Sequence, residues 1–237
     1  MVKQRILIVS HHFYPQNTPR AFRAVELVKE FIRQGHSVDV ITHVNHENEK
    51  LALEYGFTIK DLGKLSWPNF KALERKNIVF KLFSRSLTHF FEYPIIQLVP
   101  LVKRALKGKS GYDLMISIAV PFAIHWGVAL ARKQHRMIAE VWVADCGDPY
   151  MGRENISYAP PFYFRWVEKW FCRKADFLSV PTQNSIAAYY KEFHSKIKVI
   201  PQGFRFEDIK LAKNKTENGK VVFGYAGGFI PGWRDAR

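Results

Sequence analysis

Cysteine is scarce in this sequence: Cys146 and Cys172 are the two in 237 residues. That is too few for a disulfide framework, and their spacing fits no metal site. Free thiols in a reducing compartment are the expected state, and neither is expected to act as a nucleophile. Long apolar runs are also missing. Ile6 to Val9 is too short for the core of a signal peptide and is soon followed by His11 and His12. Tyr93 to Val102 is a longer run, but it contains Pro94 and Pro100 and falls well short of the roughly 20 residues that cross a bilayer. Neither export nor a transmembrane helix is expected, which points to a cytoplasmic location.

Acidic residues are outnumbered, with 21 Asp and Glu against 36 Lys and Arg, a formal charge of +15. Such an excess attracts phosphates, anionic lipid headgroups or nucleic acid, and charge alone does not choose among them. No motif of a DNA- or RNA-binding module organises it, so nucleic acid is not an expected partner. Several catalytic signatures are absent as well. There is no G-x-G-x-x-G after the first strand, no G-x-x-x-x-G-K-[ST] and no G-x-S-x-G. Dehydrogenase, P-loop NTPase and α/β-hydrolase functions therefore lose ground.

What is present suits a globular domain. Hydrophobic residues make up 47% and aromatic residues 15% of the chain, enough apolar surface to offset the entropy of ordering it. The length suits one α/β domain plus a remnant. Ile6 to Ser10 lacks alternation, as a strand buried on both faces does. Thr18 is placed to cap a helix with Pro19 at its first position, and Ala21, Ala24, Val25, Val28, Phe31 and Ile32 recur at helical spacing until Gly35. Ser37 to Thr42 is the next strand, completing a parallel βαβ unit.

The alternation continues with strand Asp113 to Ala119, helix Phe122 to Gln134, strand Met137 to Val143, helix Phe162 to Lys174 and strand Phe177 to Val180. A helix capped by Thr182 then runs to about Phe193, and strand Ile197 to Ile200 ends at Pro201. This order predicts a doubly wound, Rossmann-like parallel sheet. Residues 1–204 form the predicted domain, 205–219 a Lys-rich linker, and 220–237 the start of a second domain with strand Val221 to Tyr225. Lys64 to Lys109 stands outside the pattern. It carries ten Lys or Arg against Glu74 and Glu92, mixed with aromatic residues, and suggests a basic amphipathic surface for an anionic membrane. The competing expectation is a helical subdomain with a solvated charged face.

Ligands of open parallel sheets bind outside the carboxyl ends of the strands, so the outgoing loops carry the candidates. His11, His12, Asn17 and Arg20 lie in or beside the first loop, next to a helix N-terminus that favours anions. A capped loop with exposed histidines is the alternative there. Ser117 to Pro121 leads into a helix with His125 one turn in, a histidine that serves equally as a buried helix residue. Asp145 and Asp148 flank Cys146-Gly147 after the next strand, where carboxylates accept hydroxyl protons or hold sugar hydroxyls, or only shape a turn. Pro201-Gln202-Gly203-Phe204 is a strand-ending turn whose geometry alone accounts for Gly203.

Taken in order, these segments resemble the N-terminal domain of GT-B glycosyltransferases, specifically the retaining family 4. The resemblance rests on Ile6 to Tyr14-Pro15 and on Arg20 through Gly35-His36-Ser37-Val38 into strand Asp39 to Thr42. It also rests on Ser117 to Pro121, Asp145 to Pro149, and Lys174-Ala175-Asp176 through Pro181-Thr182 to Ile200-Pro201-Gln202-Gly203. Phe223-Gly224-Tyr225-Ala226-Gly227-Gly228 is similar to the first strand and glycine loop of the family's second domain. The resemblance implies an acceptor-binding N-terminal domain, a nucleotide-sugar donor held by the second domain, no cofactor and no metal.

It further implies hexosyl transfer with retention to a lipid-linked or polysaccharide acceptor in lipopolysaccharide or related envelope synthesis, peripheral on the inner membrane face. Asp145 and Asp148 become the catalytic candidates. His11, His12, Asn17, Arg20, Pro121, His125, Gly203, Gly227 and Gly228 become the substrate-binding ones. Two departures stand out. Asn17-Thr18-Pro19 replaces a Gly-Gly pair, and the family's paired donor-gripping glutamates lie beyond Arg237, so this chain alone is expected to be inactive. The rival from another class is a non-catalytic α/β module that binds an anionic carbohydrate or lipid.

Overall fold

The structure is a computed structural model that describes residues 2–68, 70, 78–132, 138–152 and 159–203. The chain separates into two units, Met1–Gln202 and Gly203–Arg237, and every described helix and strand belongs to the first. The linker at 205–219 and the second-domain start at 220–237 lie outside the described residues, as do Gly227 and Gly228.

Strand β1 (Arg5–Ser10) sends Ile6 and Ile8 into one apolar cluster and Leu7 and Val9 into another, so its continuous apolar run serves both faces of the sheet. Helix α1 (Pro19–Arg33) begins as its sequence predicts. The Thr18 hydroxyl accepts the Ala21 N–H at 3.1 Å, Pro19 supplies a preset φ at the first position, and Gly35 at φ +87° ends the helix. Strand β2 (Ser37–Thr42) follows.

Two elements escape the sequence pattern. Helix α2 (His46–Tyr55) is started by a capping box on Asn45, yet it buries only Asn48 and Ala52, so it has almost no apolar stripe to read. Strand β3 (Thr58–Asp61) is an edge strand with no buried residue. Helix α3 (Ile78–Phe91) then precedes a 3₁₀ turn at Ile95–Gln97 and α4 (Leu98–Ala105). The basic aromatic stretch therefore divides. Helix α3 keeps an exposed apolar face, whereas α4 is drawn into the core through Leu98 and Val102.

The remaining elements are β4 (Tyr112–Ile118), α5 (Ala123–Ala131), β5 (Ala139–Asp145), α6 (Phe164–Lys174), β6 (Phe177–Val180) and β7 (Ile197–Val199). Boundaries shift by one to three residues from the sequence expectation, and Gln134 and Met137 lie outside the described residues. The helix expected after Thr182 is instead two 3₁₀ segments, Gln183–Ala188 and Lys191–Lys196. Ile186, Tyr189 and Phe193 have helical spacing, but the Thr182 side chain makes no cap bond and Tyr189 is extended.

All strands pair in parallel in the order β3-β2-β1-β4-β5-β6-β7. Helices α1 and α2 cover one face, and α4, α5 and α6 cover the other. No helix among the described residues is long and apolar enough to cross a membrane.

One buried ion pair ties the centre of this sheet to α1. Arg23 and Asp145 meet with Nη2 to Oδ1 at 3.0 Å, both nearly sealed from water. Removing one member of such a pair leaves an uncompensated charge. Asp145→Asn should therefore lower unfolding free energy by about 3–5 kcal/mol in urea titrations, and the double change Arg23→Met with Asp145→Leu should recover most of it. A loss below about 1 kcal/mol for Asp145→Asn would show that the pair holds little together.

Candidate functional site

Because every strand is parallel, all outgoing loops emerge along one edge. Strand order reverses between β1 and β4, and there the flanking connections diverge and open a crevice. His11, Asp145 and the turn at Pro201 accordingly share this edge.

Its deepest feature is the Arg23–Asp145 pair. Asp145 ends β5, and its carboxylate accepts Arg23 Nε at 3.2 Å, Arg23 Nη2 at 3.0 Å and the Ser179 hydroxyl at 2.6 Å. Arg23 Nη1 donates to the Pro201 carbonyl at 2.9 Å. Helix α1, strands β5 and β6 and the turn after β7 are thereby fastened at one point. Burial and three donors engage both oxygens of Asp145, the carboxylate expected to handle a substrate proton. Arg23 escaped the sequence reading. Its signal was an arginine beside the apolar positions Ala21, Ala24 and Val25 of α1.

His125 is withdrawn in the same way. The Trp142 indole N–H donates to Ser117 Oγ at 2.8 Å, which directs the Ser117 proton to His125 Nδ1 at 2.7 Å. The other ring nitrogen faces the Asp145 backbone and Cys146 Sγ, the latter at 3.6 Å. Burial first, and then the positive charge of Arg20, hold the pKa of His125 down to about 3. It is a neutral, fully enclosed residue, and Pro121 is buried beside it.

Arg20 remains at the rim. Gly147 adopts φ +69°, and a Cβ there would lie 1.6 Å from Arg20 Nη2, so the guanidinium rests against the bare backbone of the β5 loop. No acidic residue occupies the first turn of α1. A guanidinium at the positive end of the α1 dipole favours an anionic group. Glu168 of α6 steadies the same loop by accepting the Tyr150 and Met151 N–H groups at 2.6 and 3.2 Å. Asp148 and Asn17 are exposed nearby in sequence on this rim, and Gly203 is exposed where the second unit opens.

The first loop holds a histidine group that the sequence showed only in part. His11 Nδ1 lies 2.8 Å from Nε2 of His43, which follows β2, and His43 Nδ1 lies 2.8 Å from the Gly63 carbonyl. His12 Nδ1 is 2.6 Å from Gln16 Oε1. Burial, then the charges of His12 and His43, lower the pKa of His11 to about 4. Burial likewise lowers that of His43 against the opposing pull of the Gly63 carbonyl and Asp61. His43 was legible by extending the carboxyl-end rule to β2. Among the described residues, no cluster of His, Cys, Asp or Glu is arranged to hold a metal ion.

The sequence profile of Glycosyltransferase Family 4 matches residues 21–207, which include β2 to β7 and begin just after the first loop and Arg20. The chain belongs to glycosyltransferase family 4. The family 4 domain has the Rossmann-like fold of GT-B glycosyltransferases. Anabaena HepE (Alr3699), solved with UDP and glucose, is similar at a TM-score of 0.51 and 16% identity over 85% of this chain and 45% of that one. Its complex with UDP-glucose gives 0.50, 16%, 85% and 44%. At such identity the likeness establishes the fold, and the family 4 domain spans less than half the length of those structures. No curated protein sequence matches the chain.

Two neutral histidines make the family 4 domain acid-sensitive. Their folded pKa values, about 4 for His11 and about 3 for His125, lie below the ordinary 6.5. The unfolded chain therefore binds more protons below pH 6.5, and stability is full above that value and falls as pH drops toward 4 and then 3. The loss approaches roughly 1.4 kcal/mol per pH unit for each histidine. Urea midpoints at pH 7, 6 and 5 should decline steadily, with a shallower slope for His125→Gln. A flat profile in the wild-type protein would contradict these environments.

Proposed function

We propose that this chain is the acceptor-binding half of a retaining glycosyltransferase. On this reading a hexose-type sugar moves from a nucleotide-sugar donor to a lipid-linked or polysaccharide acceptor in cell-envelope glycan synthesis. The observation that carries it is the placement of Arg20 over Gly147 at the α1 N-terminus, on the edge where the connections leaving β1 and β4 diverge. Family membership supports it, as do the UDP and UDP-glucose complexes of the Anabaena protein.

The chemistry asks mainly for positioning of two substrates and stabilisation of charge on a departing diphosphate. Arg20 answers the charge. Asp148, Asn17, His11 and His12 offer polar contacts to acceptor hydroxyls, with Asp148 the exposed carboxylate suited to take or orient a hydroxyl proton. Donor binding falls to the second domain. Incubation of the complete gene product with nucleotide sugars and membrane lipid extract should yield glycolipid. Arg20→Met should cut kcat/KM by on the order of 10–100-fold, the loss expected for one charged hydrogen-bonding contact. Sugar-nucleotide hydrolysis without transfer, or phosphoryl transfer, would overturn the assignment.

The acceptor's source is argued from α3. Ile78, Val79, Leu82 and Phe91 are each at least 60% exposed, as are Phe162 and Trp166 of the α6 region. The Tyr163 hydroxyl donates to the Phe90 carbonyl, which brings the two apolar surfaces together. Lys81 and Arg85 lie on the same helix, and near an anionic bilayer each cation contributes about 1 kcal/mol. Such a surface suits the cytoplasmic membrane face. Flotation should recover the protein with vesicles containing anionic lipid and little with neutral ones. Equal recovery from both, or none from either, would remove the membrane from this account.

A further inference from the structure

The hydrogen bonds around His43 fix proton positions that distances alone do not. A carbonyl oxygen only accepts, so the contact at 2.8 Å to Gly63 places the His43 proton on Nδ1. In a neutral ring the His43 Nε2 is then a bare lone pair. The ring nitrogen facing it at 2.8 Å, His11 Nδ1, must carry a proton. One nitrogen of His11 remains, Nε2, and it bears no proton. His11 is partly exposed at the end of β1, and its Nε2 is neither hydrogen-bonded nor sealed from solvent among the described residues. His12, with its ring centroid 4.6 Å from that of His11, is tied through Nδ1 to Gln16 and stands outside the chain of hydrogen bonds.

We propose that His43 is a positioning residue that holds His11 as an acceptor-only contact for a neutral hydroxyl group of the sugar acceptor. This rests on the proposed acceptor-side role of the rim. An acceptor-only nitrogen welcomes an O–H and repels a phosphate or carboxylate. The edge is thus divided by chemistry, with anionic groups directed to Arg20 and a hydroxyl to His11 Nε2. The depressed basicity of His11 fits a contact that stays unprotonated at neutral pH and orients a hydroxyl rather than removing its proton. Its titratable neighbours are His12 and His43, with Asp61 behind His43.

Long-range 1H–15N correlation spectra of the 237-residue chain at pH 7 test the hydrogen-bond chain without any substrate. Both His11 and His43 should appear as Nδ1–H tautomers, the minor form of free histidine. His43→Leu should release His11 toward the Nε2–H form, and His43→Gln, whose amide oxygen can accept from His11, should retain it. An Nε2–H or protonated His11 in the wild-type chain overturns the proposal. In the complete gene product, assayed with the membrane lipid extract as acceptor, His43→Leu should raise acceptor KM roughly tenfold. His43→Gln should restore it, with donor KM unmoved in both. Unchanged acceptor KM with the expected tautomers removes the recognition role but leaves the transferase assignment standing. Absence of transfer by the wild-type product removes both, and the tautomer result still judges the hydrogen-bond chain by itself.

Discussion

The Arg23–Asp145 ion pair is the constraint on which the candidate site depends. Burying two charges is costly, and the cost is offset here because the carboxylate accepts three hydrogen bonds and the guanidinium also reaches the Pro201 carbonyl. Its consequence is geometric. It sets the start of α1 against the ends of β5, β6 and β7. Arg20, three residues earlier on the same helix, projects along that face onto the loop after β5. Gly147 completes the fit because only a residue without a side chain leaves room for the guanidinium.

Around that point the polar groups sort by burial. His125 is enclosed between Ser117, Trp142 and Cys146 and helps pack α5 onto the sheet. His11 and His43 are neutral too, but they sit at the open rim, where a lone pair can meet a ligand. Asp145 and Asp148 are three residues apart and have opposite fates, the first saturated in the interior and the second facing solvent. One loop thus supplies both a structural anchor and a candidate for chemistry.

Much of the framework was legible because it depends on local rules. Thr18, Pro19 and Gly35 mark the ends of α1 by capping and backbone preference, and unbroken apolar runs mark strands buried on both faces. Helix α2 and strand β3 were invisible because they bury almost nothing, so no periodicity accompanies them. The segment after Thr182 misled in the opposite sense. Its apolar spacing is helical, but burial of Tyr189 and Phe193 is met by two short 3₁₀ turns separated by extended backbone.

By itself the sequence determined the α/β class, the parallel order of its units and the edge along which polar residues gather, since each follows from patterns within a few residues or from the direction of short crossovers. Only the tertiary structure decided which of those residues are free to act. Asp145 owes its commitment to Arg23, 122 positions away, and His11 owes its proton arrangement to His43, 32 positions away. Burial and partnership across such distances are set by how the strands come together, and no local pattern encodes them.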